Sequence, residues 1–181
     1  MKHTGTQTIE TPRLILRRFA EQDADDMLQN WASDPNVQLE YGEPVYDTAE
    51  AVRGLLSQYL AGYARPDFYR WAIAEKESGQ NIGMIAFCKV WEDCETAEIE
   101  YCIGAKFWGH GYAGEALSAV IRQTFAQTGF RRLEAYHRAA NPKSGRVLQK
   151  SDMHRTETVE RFRRAGASPD GEICYCIEKP Y

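Results

Sequence analysis

Phe107-Trp-Gly-His-Gly-Tyr-Ala-Gly-Glu-Ala-Leu117 is the stretch on which the reading of this chain turns. Glycines at 109, 111 and 114 stand between a strand-like run and a strongly periodic helix. Glycine lets the backbone turn sharply and lets a ligand approach bare amides closely. The helix brings unpaired N–H groups and the positive end of its dipole to the same spot, which suits a phosphate. Gly109-x-Gly111-x-x-Gly114 also fits a dinucleotide fingerprint, with Glu134 placed as its ribose-binding acid. The setting opposes that reading. Ala105–Trp108 intervenes where the fingerprint needs a tight turn, too little chain follows to complete a doubly wound sheet, and a meander precedes it. A loop shaped by glycines with no ligand is the bland alternative, and three glycines with no hairpin to make are more than it needs.

Outward from this segment the pattern is mixed α/β. Thr11–Phe19 alternates into a first strand. Asp23 is placed to cap a helix reaching Trp31, Asp34-Pro35 to end it, and Glu40–Tyr46 to form a loop. Asp47 or Thr48 caps a second helix with Val52, Leu55, Leu56 and Tyr59 on one face. Three strands follow, Tyr69–Glu75, Ile82–Val90 and Ala97–Ile103, joined by hairpin loops at 77–81 and 92–95. After the glycines, apolar residues at 113, 116, 117, 120, 121 and 125 make a helical stripe, with Gly129 placed to terminate it. Arg131–His137 reads as a strand. Asn141-Pro142 starts a short helix to Lys150, Asn as cap and Pro at its first position. Arg155–Arg163 and Glu172–Glu178 read as two last strands, and residues 1–10 as a flexible lead-in.

Composition bounds the function. A chain of 181 residues with no linker is one domain able to bury a substantial core. Net charge −4 argues against a broad basic face for nucleic acid. No apolar run is long enough to span a bilayer and no signal peptide is evident, so a cytoplasmic protein is expected. The five cysteines lack metal-ligand spacing and read as buried and reduced, and the four histidines are scattered; no metal site is expected.

Four separated segments resemble the GCN5-related N-acetyltransferases (GNAT), and within them the RimJ/RimL type that acetylates ribosomal-protein N-termini. They are Thr11-Pro-Arg-Leu-Ile-Leu-Arg17, Ala97-Glu-Ile-Glu-Tyr-Cys-Ile-Gly104, the glycine segment, and Asn141-Pro-Lys-Ser-Gly-Arg-Val-Leu-Gln-Lys150. The resemblance implies a single-domain fold with a mostly antiparallel sheet of about seven strands, helices on both faces, and one parallel pair splayed apart. It implies acetyl-CoA as co-substrate. The pantetheine would lie between the strands near Glu98–Ile103 and Leu133–His137, touching the Ile103 end. The pyrophosphate would sit over Trp108, Gly109, His110, Gly111, Tyr112, Ala113 and Gly114, with His110 and Tyr112 giving amides rather than side chains. Asn141 would contact the pantetheine and Arg146 the phosphates. Trp108 stands where the wider superfamily has Gln or Arg, as is usual in this branch. Asp152-Met153 replaces the branch's Gly-Phe, and Asp tolerates the left-handed backbone less readily than Gly.

Acetyl transfer needs a neutral amine, a stabilised oxyanion and a proton for the thiolate. An α-amine is roughly a tenth to a fifth neutral at pH 7, a lysine well under ~0.1%, so an N-terminal acetyltransferase needs only a weak base. Glu98 and Glu100, two apart on one strand face, are the base candidates, with solvated surface carboxylates as the plain alternative. The superfamily's tyrosine acid falls at Leu148 and is absent; the resemblance offers Ser144 instead, unless that serine merely bonds backbone at a helix start. A protein N-terminus is the expected acceptor. A small amine (polyamine, amino sugar or amino acid) and a non-catalytic acyl-CoA-binding module remain open, as does a monomer or homodimer.

Overall fold

The computed structural model describes residues 1–180. Eight strands form one sheet in the order β1-β2-β3-β4-β5-β6-β8-β7. They are β1 (Ile9–Glu10), β2 (Leu14–Arg17), β3 (Arg70–Glu75), β4 (Asn81–Trp91), β5 (Thr96–Ile103), β6 (Arg132–Arg138), β7 (His154–Thr156) and β8 (Glu172–Glu178). Every neighbouring pair is antiparallel except β5–β6. The helices are α1 (Asp23–Met27), α2 (Pro35–Tyr41), α3 (Ala49–Gly62), α4 (Tyr112–Gln127), α5 (Pro142–Lys150) and α6 (Glu160–Ala165).

Both faces of the sheet are covered, which is why the central strands are apolar at almost every position rather than at alternate ones. On one face Leu14, Leu16, Ile73, Ile85 and Ile99 pack beneath Leu117, Val120 and Ile121 of α4. On the other, Ala72, Met84, Ala86 and Cys102 pack against Met27, Trp31, Val52 and Leu56 from the α1–α3 side. The β5 side chains therefore alternate between two different environments.

Several local expectations change in the structure. Asp23 does not cap α1: Gln22 occupies that position, and Asp23 instead takes a two-point bond from Arg17 and the Ala20 amide. The helix continues as a wide π-type turn over Leu28–Ala32. Asp34-Pro35 starts a helix as well as ending one, with the Asp34 side chain accepting the Asn36 amide, so part of the expected loop is α2. Thr48 caps α3. Gly129 does follow the Thr128 C-cap of α4, but without the left-handed backbone; it is glycine because the N-terminal chain crosses it, where a Cβ would lie 2.5 Å from Met1. Residues 1–10, expected to be loose, are docked: Thr6 Oγ1 donates to the Phe68 carbonyl, and the Gln7 carbonyl accepts from Trp71 Nε1. Arg155–Arg163 is not one strand but the short β7 followed by α6. Asp152 does take the left-handed conformation, at φ 63°. Of the cysteines, Cys102, Cys174 and Cys176 are buried, Cys88 is half-buried, and Cys94 is exposed, contrary to a uniformly buried set.

The parallel pair is the feature that builds the site. β5 and β6 pair only at Thr96↔Arg132, Ala97↔Leu133 and Glu98↔Glu134. Beyond that rung β6 stays with β8 as far as Arg138, while β5 stays with β4 as far as Ile103. The two carboxylates at the last rung are among the most buried charges in the protein. Arg161 of α6 grips Glu98, Nε lying 2.9 Å from Oε2. Arg163 and Arg132 both hold Glu134, at 2.9 and 2.7 Å, and the Glu160 amide donates to its other oxygen. Cys88 adds a thiol donor to Glu98, and burial among these acids pushes that thiol well above the ordinary range. Helix α6 is thus tied across the root of the fork.

Removing Arg161 strands the Glu98 carboxylate away from water. Arg161→Met is expected to lower the unfolding free energy by about 2–3 kcal/mol, below the full cost of breaking a buried pair because Arg161 itself stays partly wet. Urea titration measures it, and adding Glu98→Gln should restore part of the loss. A change under ~0.5 kcal/mol, the size of an ordinary surface substitution, would show that α6 does not carry this charge.

Candidate functional site

Where β5 and β6 part, one groove of about 810 Å³ opens, lined by β5, the glycine segment, α4, α5 and the end of α2. The glycine segment forms its floor at one end. Gly109 and Gly111 both take the left-handed backbone, φ 83° and 82°, which L-residues avoid. A Cβ on Gly109 or on Gly114 would meet no atom within 4 Å, so packing does not require either glycine to be bare. Their bareness leaves room above the amides at the start of α4. Successive N–H groups in such a turn form a concave anion site.

The segment Thr11-Pro-Arg13 braces this loop from outside. Glu115, in the first turn of α4, accepts from Thr11 Oγ1 at 2.6 Å, the Arg13 amide at 2.9 Å and the Arg13 guanidinium at 2.7 Å. Burial opposes the charge on Glu115, but these donors win and hold its carboxyl below the usual range. Arg13 also donates to the His110 carbonyl and lies over the Tyr112 ring, 4.7 Å from its centre. Tyr112 bonds Glu75, and the His110 ring stacks on Tyr112. Both side chains have partners of their own. At the strand end, Trp108 Nε1 donates to the Ile103 carbonyl at 2.7 Å, fixing the loop to β5.

Helix α5 supplies the opposite wall. Asn141 caps it by accepting the Ser144 amide. Ser144 is not tied to backbone through its hydroxyl; its Oγ sits 2.8 Å from the Tyr101 hydroxyl, reached from β5 across the fork. Burial pushes the Tyr101 phenol well above its ordinary pKa, so it stays protonated. Gly145 follows because the helix lies against His137, where a Cβ would come within 2.6 Å of Nε2. Lys143, Arg146 and Lys150 share one helix face and all line the groove. Lys143 Nζ lies 4.5 Å above the Trp108 ring.

Most of the expected site therefore converges. Ile103, Trp108 and Gly109, then Gly111 to Gly114, and Asn141, Ser144 and Arg146 all line the groove; His110 does not. The two glutamates separate. Glu98 is neither a groove residue nor a solvated one: it is locked under Arg161 at the root of the fork. Glu100 is close behind the other end of the groove, where its Oε1 accepts from Tyr41 at 2.8 Å and from Arg70 at 2.8 Å. Tyr101, Tyr41, Arg70 and the Lys143–Lys150 stripe were missed from sequence. The i, i+3, i+7 spacing of the basic residues was visible, and Tyr101 could be placed opposite Glu100 by strand alternation. Nothing local marked Tyr41 or Arg70, which meet Glu100 from two distant elements.

Comparison with known proteins agrees with this fold. The uncharacterized N-acetyltransferase YoaA of Bacillus subtilis is 28% identical over 172 residues, covering 95% of this chain and 97% of its own. The ribosomal-protein-S5-alanine acetyltransferase of Vibrio fischeri superposes with a TM-score of 0.78 at 15% identity, covering 96% and 97%. The microcin C7 self-immunity acetyltransferase MccE, solved with acetyl-CoA and AMP, superposes at 0.73 and 15% identity over 93% of each chain. At those identities the two structures speak for the fold alone. The pattern of the acetyltransferase (GNAT) domain matches residues 13–154, and the chain belongs to that family of N-acetyltransferases.

Proposed function

We propose that this enzyme moves the acetyl group of acetyl-CoA to the α-amine of a polypeptide N-terminus. The observation that carries the reading is the continuity of the groove. It runs from an anion cradle, past a paired serine and tyrosine, to an acidic end on the opposite face of the sheet. The amides of Gly109–Gly114 receive the pyrophosphate, and Lys143, Arg146 and Lys150 add the positive charge that a phosphate needs. The pantetheine lies along the β5 edge that β6 leaves unpaired, between Ile99 and Ile103. Asn141 holds the start of α5 against it.

The acceptor enters from the α2 side. Between Phe19 and Val52 there is no Lys, Arg or His, but there are Glu21, Asp23, Asp25, Asp26, Asp34, Glu40, Glu43, Asp47 and Glu50. Glu40 lines the groove, and burial together with Glu100 raises the Glu43 carboxyl above its usual range. Such a field attracts a cationic amine. Leu39 and Val45, the most exposed large apolar residues, lie in the same stretch of chain as Glu40 and Tyr41 and suit the chain that follows an N-terminus. The fold that carries this groove is shared with a ribosomal-protein-S5-alanine acetyltransferase.

In the transfer the amine nitrogen attacks the thioester carbon, and the C–S bond breaks as the C–N bond holds. Ser144, steadied by Tyr101, protonates the departing sulfur. Neither hydroxyl is the net source of that proton, because an alcohol and a phenol raised by burial each hold a proton more tightly than a thiol does; Ser144 passes the proton on and solvent replaces it. Glu100 remains as the acid-side candidate to receive the amine's proton, and Glu98 has no part in it. A cytoplasmic setting fits this chemistry; no helix among the described residues is long and apolar enough to cross a membrane.

Acetyl-CoA is expected to raise the melting temperature of the wild type, and thiol release is expected with peptides in preference to small amines. Turnover confined to diamines or amino sugars would overturn the polypeptide acceptor. Ser144→Ala should reduce kcat by about 10²-fold, in the range of a lost general acid, while the acetyl-CoA-induced shift in Tm persists. An unchanged kcat would remove Ser144 from the chemistry. Gly114→Ala should leave stability the same or up to ~1 kcal/mol higher, since helix interiors favour Ala, yet weaken acetyl-CoA binding measurably in calorimetry. Full-strength binding by that variant would mean the bare surface at Gly114 is not where the co-substrate lies.

A further inference from the structure

The acceptor end of the groove holds a built polar cluster drawn from four elements. Tyr41, the last residue of α2, lines the groove and donates its hydroxyl to Glu100 Oε1 at 2.8 Å. Arg70 of β3 donates to the same oxygen, also at 2.8 Å, and its guanidinium lies 4.3 Å over the ring of Tyr59 from α3. Arg70 and Tyr41 both reach the sulfur of Met84, at 2.9 and 3.2 Å. Gly42, with φ 80°, turns the chain away directly after Tyr41 and closes α2 there. The ring and the carboxylate are thus each held from two sides.

This arrangement fixes what Tyr41 can offer. A phenol has one hydrogen, and here it is committed to Glu100. Toward the groove Tyr41 can present only oxygen lone pairs, and the carboxylate behind it makes that oxygen a stronger acceptor. A lone pair accepts an N–H and repels a carbonyl or thioester oxygen. Arg70 keeps Glu100 from turning into the groove itself. Tyr41 therefore stands between the acid and any amine in the acceptor end.

We propose that Tyr41 is the residue that receives the acceptor amine: its oxygen accepts an N–H of the incoming amine and relays the proton to Glu100. This rests on the acetyltransferase reading above. As the C–N bond forms, the amine's proton passes to the Tyr41 oxygen and the Tyr41 hydrogen passes to Glu100 Oε1, so no free phenolate arises. The C–S bond breaks, sulfur takes the Ser144 hydrogen, and the acetylated amine leaves. Water then returns a proton to Ser144 and accepts one from Glu100, which balances the cycle. Recognition and deprotonation of the acceptor are one contact.

The test compares wild type, Tyr41→Phe, Glu100→Gln and the double variant by thiol release at saturating acetyl-CoA. The acceptors are Ala- and Ser-starting peptides and a series of simple primary amines of falling pKa. Tyr41→Phe is expected to lower kcat/KM for the amine by about 10²-fold, the usual worth of a positioned acid–base group. KM for acetyl-CoA and the acetyl-CoA-induced Tm shift should stay at wild-type values. The deficit should shrink as amine pKa falls, because the nitrogen of a weaker base loses its proton more readily once the C–N bond forms and so needs the relay less. The double variant should be no slower than the slower single, as for residues that act as a unit. The proposal is overturned by wild-type kcat/KM in Tyr41→Phe, by a deficit that ignores amine pKa, or by an equal loss of acetyl-CoA affinity. If the wild type acetylates none of these amines while still binding acetyl-CoA, it is the acetyltransferase reading that fails, and the proposal with it.

Discussion

Parallel strands satisfy their backbone N–H and C=O groups by continuous pairing, and this protein stops that pairing after three rungs. Everything functional depends on the interruption. One side of β5 beyond Glu98 is left as an open edge, which is both a site for hydrogen bonds to a ligand and a liability in an empty protein. The fork persists because each strand is committed elsewhere: β5 to a long ladder with β4, bulged once between Phe87 and Lys89, and β6 to seven rungs with β8. At its root two buried carboxylates are neutralised by arginines of α6, so the last rung cannot slide without uncovering charge.

The alternation of β5 then distributes the chemistry. Tyr101 projects toward α5 and meets Ser144, while Glu100, one residue away, projects to the α1–α3 face and meets Tyr41 and Arg70. A single strand edge separates a glycine-rich, basic end of the groove from an acidic end. In the proposed function, the two substrates would meet there without sharing an entrance. The Glu115 brace adds rigidity where the cradle starts, because Thr11 and Arg13 fasten the first turn of α4 to the opening strand.

Much of this was legible in the chain. The three-strand meander, α4 and the Asn141–Pro142 helix start follow from periodicity and capping chemistry, and the glycine pattern marked the cradle. Other parts were hidden for identifiable reasons. Arg155–Arg163 reads as a strand because its spacing is short, but arginines at 161 and 163 are needed on a helix to reach two buried acids. Glu98 looked like a groove base because strand alternation places it beside Glu100, whereas its partner lies 63 positions further along the sequence. The stretch from Leu28 to Tyr46 gave least, since a π-type turn and a short capped helix leave a weak periodic signal. Resemblance to the family named the co-substrate; only the folded arrangement could bring Tyr41, Arg70 and Glu100 together.

Amide hydrogen exchange with and without acetyl-CoA tests the central claim most directly, since it reports on the open edge itself. The account predicts that acetyl-CoA slows exchange at amides between Ile99 and Ile103 and between Gly109 and Ala113, with little change along β1, β2 and β3. Protection spread evenly over the sheet, or confined to segments outside the fork, would contradict it.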